Sequence, residues 1–148
     1  MKNIPGGILG ATRMVGQRFI ELLVNHPWFE IKVLAASPIS AGKSYKEAVG
    51  EKWVSIKLIP ANVSRVTVLS VVDDIEKICK NVELVFSALD LDSEEIKKIE
   101  NDYLKRGIFV VSNNSAHRWT EDVPMIIPEV NPEHLELINI QSKKEGFN

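Results

Sequence analysis

An α/β fold with a mainly parallel, doubly wound sheet is predicted by three observations. Strand-sized apolar runs alternate with segments of helical apolar spacing along all 148 residues. One of these runs, Val82 to Leu89, is almost wholly apolar and reads as a parallel strand buried on both faces. A short apolar pair, Ile8-Leu9, leads through Gly10 into a helical pattern that begins at Met14. Strand, glycine turn and helix in that order open a Rossmann-type unit, whose turn and helix N-terminus suit a phosphate.

The elements follow in order. The first helix is expected from about Met14 to His26, with Val15, Phe19, Leu22 and Leu23 on one face and Pro27 as its stop. Phe29 to Ala36 reads as the second strand, and Tyr45 to Val49 as a short helical piece. Trp53 to Pro60 alternates like an extended edge segment, and Val66 to Val72 is a β-branched strand. Asp73 or Asp74 can cap a helix running to Lys80. Beyond the Val82–Leu89 strand, Asp92 and Glu95 form a capping pair for a helix that ends at Gly107. Ile108 to Val111 reads as another buried strand. Asn131-Pro132 opens a last helix that closes near Gly146. The next strand of such a sheet is expected just there, so the sheet reads as truncated before its last strand.

Length and composition exclude several classes. A chain of 148 residues suffices for one domain that buries roughly two-thirds of its unfolded surface. The net charge is −2 and no long basic run occurs, which argues against nucleic acid and membrane surfaces as partners. No run is long enough to span a bilayer, and the N-terminus is no signal peptide. A single cysteine, Cys79, excludes an internal disulfide and fits a reducing cytoplasmic setting. The histidines His26, His117 and His134 share no metal-ligand spacing, so no metal is expected.

Ligands of such sheets bind beyond the carboxyl ends of the strands. The loops at issue are Gly10–Val15, Ser37–Lys43, Ser87–Asp92 and Ser112–Arg118. Gly7, Gly10 and Gly16 stand on a three-residue ladder whose missing rung, position 13, is arginine. A side chain there is expected to intrude on the phosphate space and, where the turn needs positive φ, to strain the backbone, so that glycine would bind cofactor more tightly. An ordinary strand-to-helix turn accounts for the same glycines.

The second strand ends in Ala36-Ser37, without the carboxylate that holds a ribose 2′-hydroxyl. Ser37, Ser40 and Lys43 suit a 2′-phosphate and so NADP over NAD, although a polar surface loop has the same composition. Ser37 to Ser44 also approaches a P-loop, with Gly42-Lys43-Ser44 in place but Ser37 where the first glycine belongs. Ser87-Ala88-Leu89 is small enough at its strand end for a ligand to lie against backbone. The loop Ser112 to Trp119 is polar, and its Arg118 can grip a phosphate or carboxylate as a fork.

Five segments together resemble the N-terminal part of aspartate-semialdehyde dehydrogenases of the archaeal and fungal type. They are Gly7 to Phe19, Leu34 to Lys43, Val85 to Leu89, Ser112 to Arg118, and Asp122 to Asn131, in the family's order and over nearly the whole chain. The resemblance implies NADP-dependent reductive dephosphorylation of aspartyl phosphate through a cysteine thioester, in a cytoplasmic homo-oligomer. It places Gly10, Thr12, Arg13, Met14 and Val15 along the cofactor phosphates, and Ser37 and Ser40 at the 2′-phosphate. Ser87, Ala88 and Leu89 border the nucleotide, and Asn113 and Arg118 hold the substrate phosphate. The family has glycine where this chain has Arg13. Its nucleophile stands in an Asn-Cys-Thr or Asn-Cys-Ser motif, which Cys79 does not match. The 148 residues are therefore expected to form the NADP-binding domain, without the catalytic and dimerisation domain and inactive alone. A stand-alone nucleotide-binding module and a reductase of another acyl phosphate or acyl thioester are the alternatives.

Overall fold

The computed structural model describes residues 3–145, and the expected helix end near Gly146 lies outside them. The chain divides into two compact units, 1–113 and 114–148. The first contains β1 (Ile4–Leu9), α1 (Met14–Leu23), β2 (Phe29–Ala36), α2 (Tyr45–Val49), α3 (Ala61–Ser64), β3 (Leu69–Ser70), α4 (Ile75–Cys79), β4 (Leu84–Ser87), α5 (Ser93–Leu104) and β5 (Phe109–Ser112). The five strands form one sheet in the order β3-β2-β1-β4-β5, and every neighbouring pair is parallel. The chain thus winds outward from β1 to β3, then returns to place β4 on the other side of β1. That reversal creates a crevice beyond the carboxyl ends of β1 and β4.

The expected α/β sheet is present, with local differences. α1 stops at Leu23 because the residues ahead of Pro27 leave the helical path: His26 N–H reaches back to the Leu23 carbonyl at 3.1 Å. The β-branched run Val66–Val72 is divided between two partners, which leaves only Leu69–Ser70 on β2. Its first half pairs with the loop before α2, Tyr45 N–H donating to Val66 O (2.8 Å) and Val68 N–H to Lys43 O (2.8 Å). Trp53–Pro60 is no strand, since Trp53 Nε1 donates to Lys57 O (2.7 Å) and folds the segment on itself. Asp74 precedes α4 without capping it; its carboxylate accepts from Ser70 N–H at 2.7 Å. Asp92 caps α5 as expected, accepting from the Glu94 and Glu95 N–H groups at 3.0 Å each. These bonds, that to Glu95 foremost, hold its carboxyl below the usual range. β5 is an edge strand and is not buried: Phe109 and Val111 are exposed, while Ile108 before them is covered.

The core beneath the crevice is apolar, formed by Ile8, Ala11, Ile20, Leu34, Tyr45 and Val68 among others. Two polar side chains inside it fasten the glycine loop. The Tyr45 hydroxyl, fully buried, donates to Ala11 O at 2.8 Å, and burial raises its pKa so that it stays a donor. Gln17, 2% exposed, donates to Thr12 O (3.1 Å) and Lys52 O (2.8 Å) and accepts from Val54 N–H (2.9 Å).

In the second unit a 3₁₀ turn (Pro132–Leu135) leads into α6 (Glu136–Glu145). Asn131 orders the preceding loop: its carbonyl oxygen accepts from Ile127 N–H (2.7 Å) and its amide donates to Met125 O (2.8 Å). Lys144 and Asp122 form an ion pair between α6 and that loop.

Helix α1 rests directly on the turn. A Cβ on Gly16 would stand 2.2 Å from Gly10 O and 2.8 Å from Ala11 Cα, both backbone atoms. Gly16→Ala is therefore expected to lower unfolding free energy by about 1–3 kcal/mol in a urea titration, as overpacking does. A loss under about 0.5 kcal/mol, the range of neutral surface changes, would contradict this packing. Gln17→Met, similar in volume, leaves three backbone groups without their partner and should lose about 1–3 kcal/mol. Amide exchange at Val54 should speed up in the same variant, and an unchanged rate would mean that Gln17 does not hold that loop.

Candidate functional site: the crevice at the sheet reversal

The sequence from Ile8 to Gly16 makes one lip of the crevice. Gly10 ends β1 with φ +78°, a conformation side chains rarely adopt. A Cβ there would lie 2.3 Å from Ala88 O, so the two lips touch backbone to backbone. Gly10 and Ala11 N–H both donate to Ala35 O at 2.9 and 3.0 Å, and Ala88 N–H donates to Leu9 O at 2.9 Å. These bonds tie the ends of β1, β2 and β4 together and leave little freedom in the loop between them.

Arg13 is the residue before α1, at φ −86° and ψ 161°. This is extended backbone, so the expected positive-φ strain is absent; among the described residues only glycines have positive φ. The close approach expected of a glycine at position 13 is served instead by Gly10 and Gly16. No side chain caps the N-terminus of α1, whose first N–H groups and positive dipole end face the crevice lip. Met14 and Val15 are exposed there and line an open groove of about 370 Å³ with Gln17, Arg18, Glu21, Val54 and Ser55. Thr12 is half-buried.

The opposite lip is Ser87-Ala88-Leu89, all buried, which presents backbone to the crevice. Asp90 follows, and its carboxylate stands 3.4 Å from the Arg13 guanidinium; the two side chains are 70% and 64% exposed. Next to β1 on its other side, Ser37 and Ser40 form a turn after β2 in which Ser40 N–H donates to Ser37 O at 2.9 Å. Ser37 and Lys43 are exposed and Ser40 is half-buried. This loop is no phosphate cradle of the P-loop kind. Gly42 N–H is bound to Val68 O at 2.9 Å, and Ser44 Oγ is bound to the Glu47 carboxylate at 2.6 Å in a capping box.

Asn113 follows β5, exposed, with its N–H on Ser87 O at 3.2 Å. Gly10–Val15, Ser37, Ser40, Ser87–Leu89 and Asn113 thus all stand at the carboxyl edge of one sheet. Arg118 belongs to the second unit, exposed in a turn closed by its N–H on Ser115 O at 3.1 Å.

Three residues support this site without standing in any of its motifs. Gln17 and Tyr45 belong to helices in the sequence pattern, and a glutamine one turn into a helix beside a glycine loop is a signal for such a tie. Glu100 on α5 is 4% exposed and accepts from Ser112 Oγ at 2.6 Å, beneath the Ser112–Asn113 strand end. Cys79 lies on α4, before β4 begins, and so toward the amino edge of the sheet. Burial raises its thiol pKa, the reverse of what a thiolate nucleophile needs.

This geometry has close counterparts. The chain is 42% identical over 146 residues to an aspartate-semialdehyde dehydrogenase of Archaeoglobus fulgidus, covering 95% of the chain and 39% of the relative. It is 35% identical to a malonyl CoA reductase (NADP) of Metallosphaera sedula, covering 99% of the chain and 39% of that protein. Its fold matches the crystal structure of aspartate-semialdehyde dehydrogenase with NADP from Candida albicans, with a TM-score of 0.84 and 37% identity over 99% of the chain and 40% of that structure. The chain thus spans about two-fifths of the length of these relatives. The resemblance read from the five segments is borne out. Residues 7–138 match the model of the semialdehyde dehydrogenase NAD binding domain, and the chain belongs to that family.

Proposed function

We propose that these residues are the cofactor-binding domain of an NADP-dependent aspartate-semialdehyde dehydrogenase, a homo-oligomer in its full form. The observation that carries the cofactor choice is the end of β2: Ala36-Ser37, then Ser40 and Lys43, with no carboxylate to repel a 2′-phosphate. Gly10, Thr12, Arg13, Met14 and Val15 hold the pyrophosphate, assisted by the uncapped N-terminus of α1. Ser37 and Ser40 receive the 2′-phosphate, while Ser87, Ala88 and Leu89 bound the nucleotide through their backbone. Asn113 and Arg118 hold the phosphate of the acyl substrate.

NADPH supplies the hydride in the reduction of aspartyl phosphate. The chain's own residues bind, orient and neutralise charge. The thioester-forming cysteine is outside them, because Cys79 lacks the Asn-Cys-Thr/Ser context and its thiol is pushed toward the neutral form. The Metallosphaera relative supports a second reading, in which the acyl group arrives as a coenzyme A thioester on the same cofactor domain.

Titration calorimetry of the 148-residue chain is expected to give at least a tenfold preference for NADP over NAD, the worth of one charge-assisted contact. Equal affinities would overturn the assignment of Ser37, Ser40 and Lys43. The same chain with aspartate semialdehyde, inorganic phosphate and NADP should form no NADPH above background. Measurable turnover would show that a nucleophile among these residues has been overlooked.

A further inference from the structure

The Arg13–Asp90 pair spans the mouth of the crevice. Arg13 closes the β1 loop at the start of α1, and Asp90 stands three residues beyond Ser87 at the end of β4. The two lips already touch at Gly10 and Ala88, three residues before Arg13 and two before Asp90. Their 3.4 Å separation is longer than a charge-assisted hydrogen bond, and both are largely in solvent. Such a pair is weakly held and changes partner at little cost. A bound dinucleotide brings a pyrophosphate to the N-terminus of α1, within a side chain's length of the Arg13 Cα. An Asp90 left bare at that lip would repel it, whereas a free guanidinium would attract it.

We propose that Arg13 and Asp90 form an exchangeable charge clasp: the Arg13 guanidinium is held by Asp90 in the free protein and passes to the cofactor pyrophosphate on binding. The proposal rests on the reading of this crevice as a dinucleotide site. It assigns Arg13 a binding role where the glycine of the fingerprint has none, and reverses the effect expected of a side chain at that rung. With extended backbone and a guanidinium directed to the opposite lip, position 13 does not crowd the phosphate space. Asp90 acts as a positioning residue that keeps the guanidinium over the crevice and competes with the ligand for it.

The test is a double-mutant cycle of NADPH dissociation constants on the 148-residue chain, using Arg13→Gln, Asp90→Asn and the double variant at low and high salt. Both positions are exposed, and circular dichroism should show unchanged folds. Arg13→Gln should weaken binding about fivefold and Asp90→Asn tighten it about two- to threefold, the scale of single exposed charge contacts. The double variant should bind more weakly than Asp90→Asn alone, and loss of Arg13 should flatten the salt dependence. If removing Arg13 in the Asp90→Asn background changes nothing, Arg13 merely neutralises Asp90 and the exchange is wrong. Tighter or equal binding by Arg13→Gln overturns the clasp while leaving the dinucleotide site standing. Failure of the unaltered chain to bind NADPH overturns both.

Discussion

Between Gly10 and Gly16 there is no room for a methyl group. The first turn of α1 lies against the Gly10 carbonyl, and Gly10 itself lies against the Ala88 carbonyl. Three backbone segments therefore meet with nothing between them, and the crevice exists because they do. A side chain at either glycine would push α1 off β1 or β1 away from β4 and open the crevice at that point. Both requirements are steric and local, so they hold whatever surface residues the chain carries. They also explain why a non-glycine is tolerated at position 13, where the backbone is extended and the side chain leaves the contact.

Close approach alone does not make a rigid site, since a glycine-rich loop is entropically loose. The chain compensates with polar ties set inside an apolar core. Tyr45 reaches across from α2 to the Ala11 carbonyl, and Gln17 binds Thr12 on one side and the Lys52–Val54 loop on the other. Each tie satisfies a backbone group that would otherwise be stranded at the edge of the core. α2 is short, but its capping box and its pairing with Val66 hold Tyr45 in register. The loop's shape is thereby fixed before any ligand arrives, which reduces the ordering that binding must otherwise supply.

What the sequence made legible follows the range of the forces involved. The bounds of β2 and α2 agree with the expectation to the residue, β2 because the alternation of Phe29, Ile31 and Val33 into Leu34-Ala35-Ala36 is a local signal. The glycine turn and the start of α1 were equally plain. Val66–Val72 was over-read because β-branched composition signals extended backbone but not which partner it pairs with. β5 was read as buried from its apolar residues, whereas burial depends on its place at the sheet edge. Arg13 misled because a ladder of spacings does not reveal which rung carries the close contact. Gln17 and Glu100 are hard to read from spacing because each acts through partners far along the chain or on another element.

The groups that favour anions and the thiol lie toward opposite edges of this sheet. The carboxyl edge carries an uncapped helix N-terminus, Arg13, Lys43 and the hydroxyls of Ser37 and Ser40, with the Asp90 carboxylate set against Arg13. The only thiol stands toward the opposite edge, half-buried on α4 beside Ile78, with its proton held by desolvation. Cys79 is separated from the crevice by the length of β4, because β4 runs from near α4 to the crevice lip. On the function proposed above, the carboxyl edge holds the ligand while Cys79 stands a strand's length away from it.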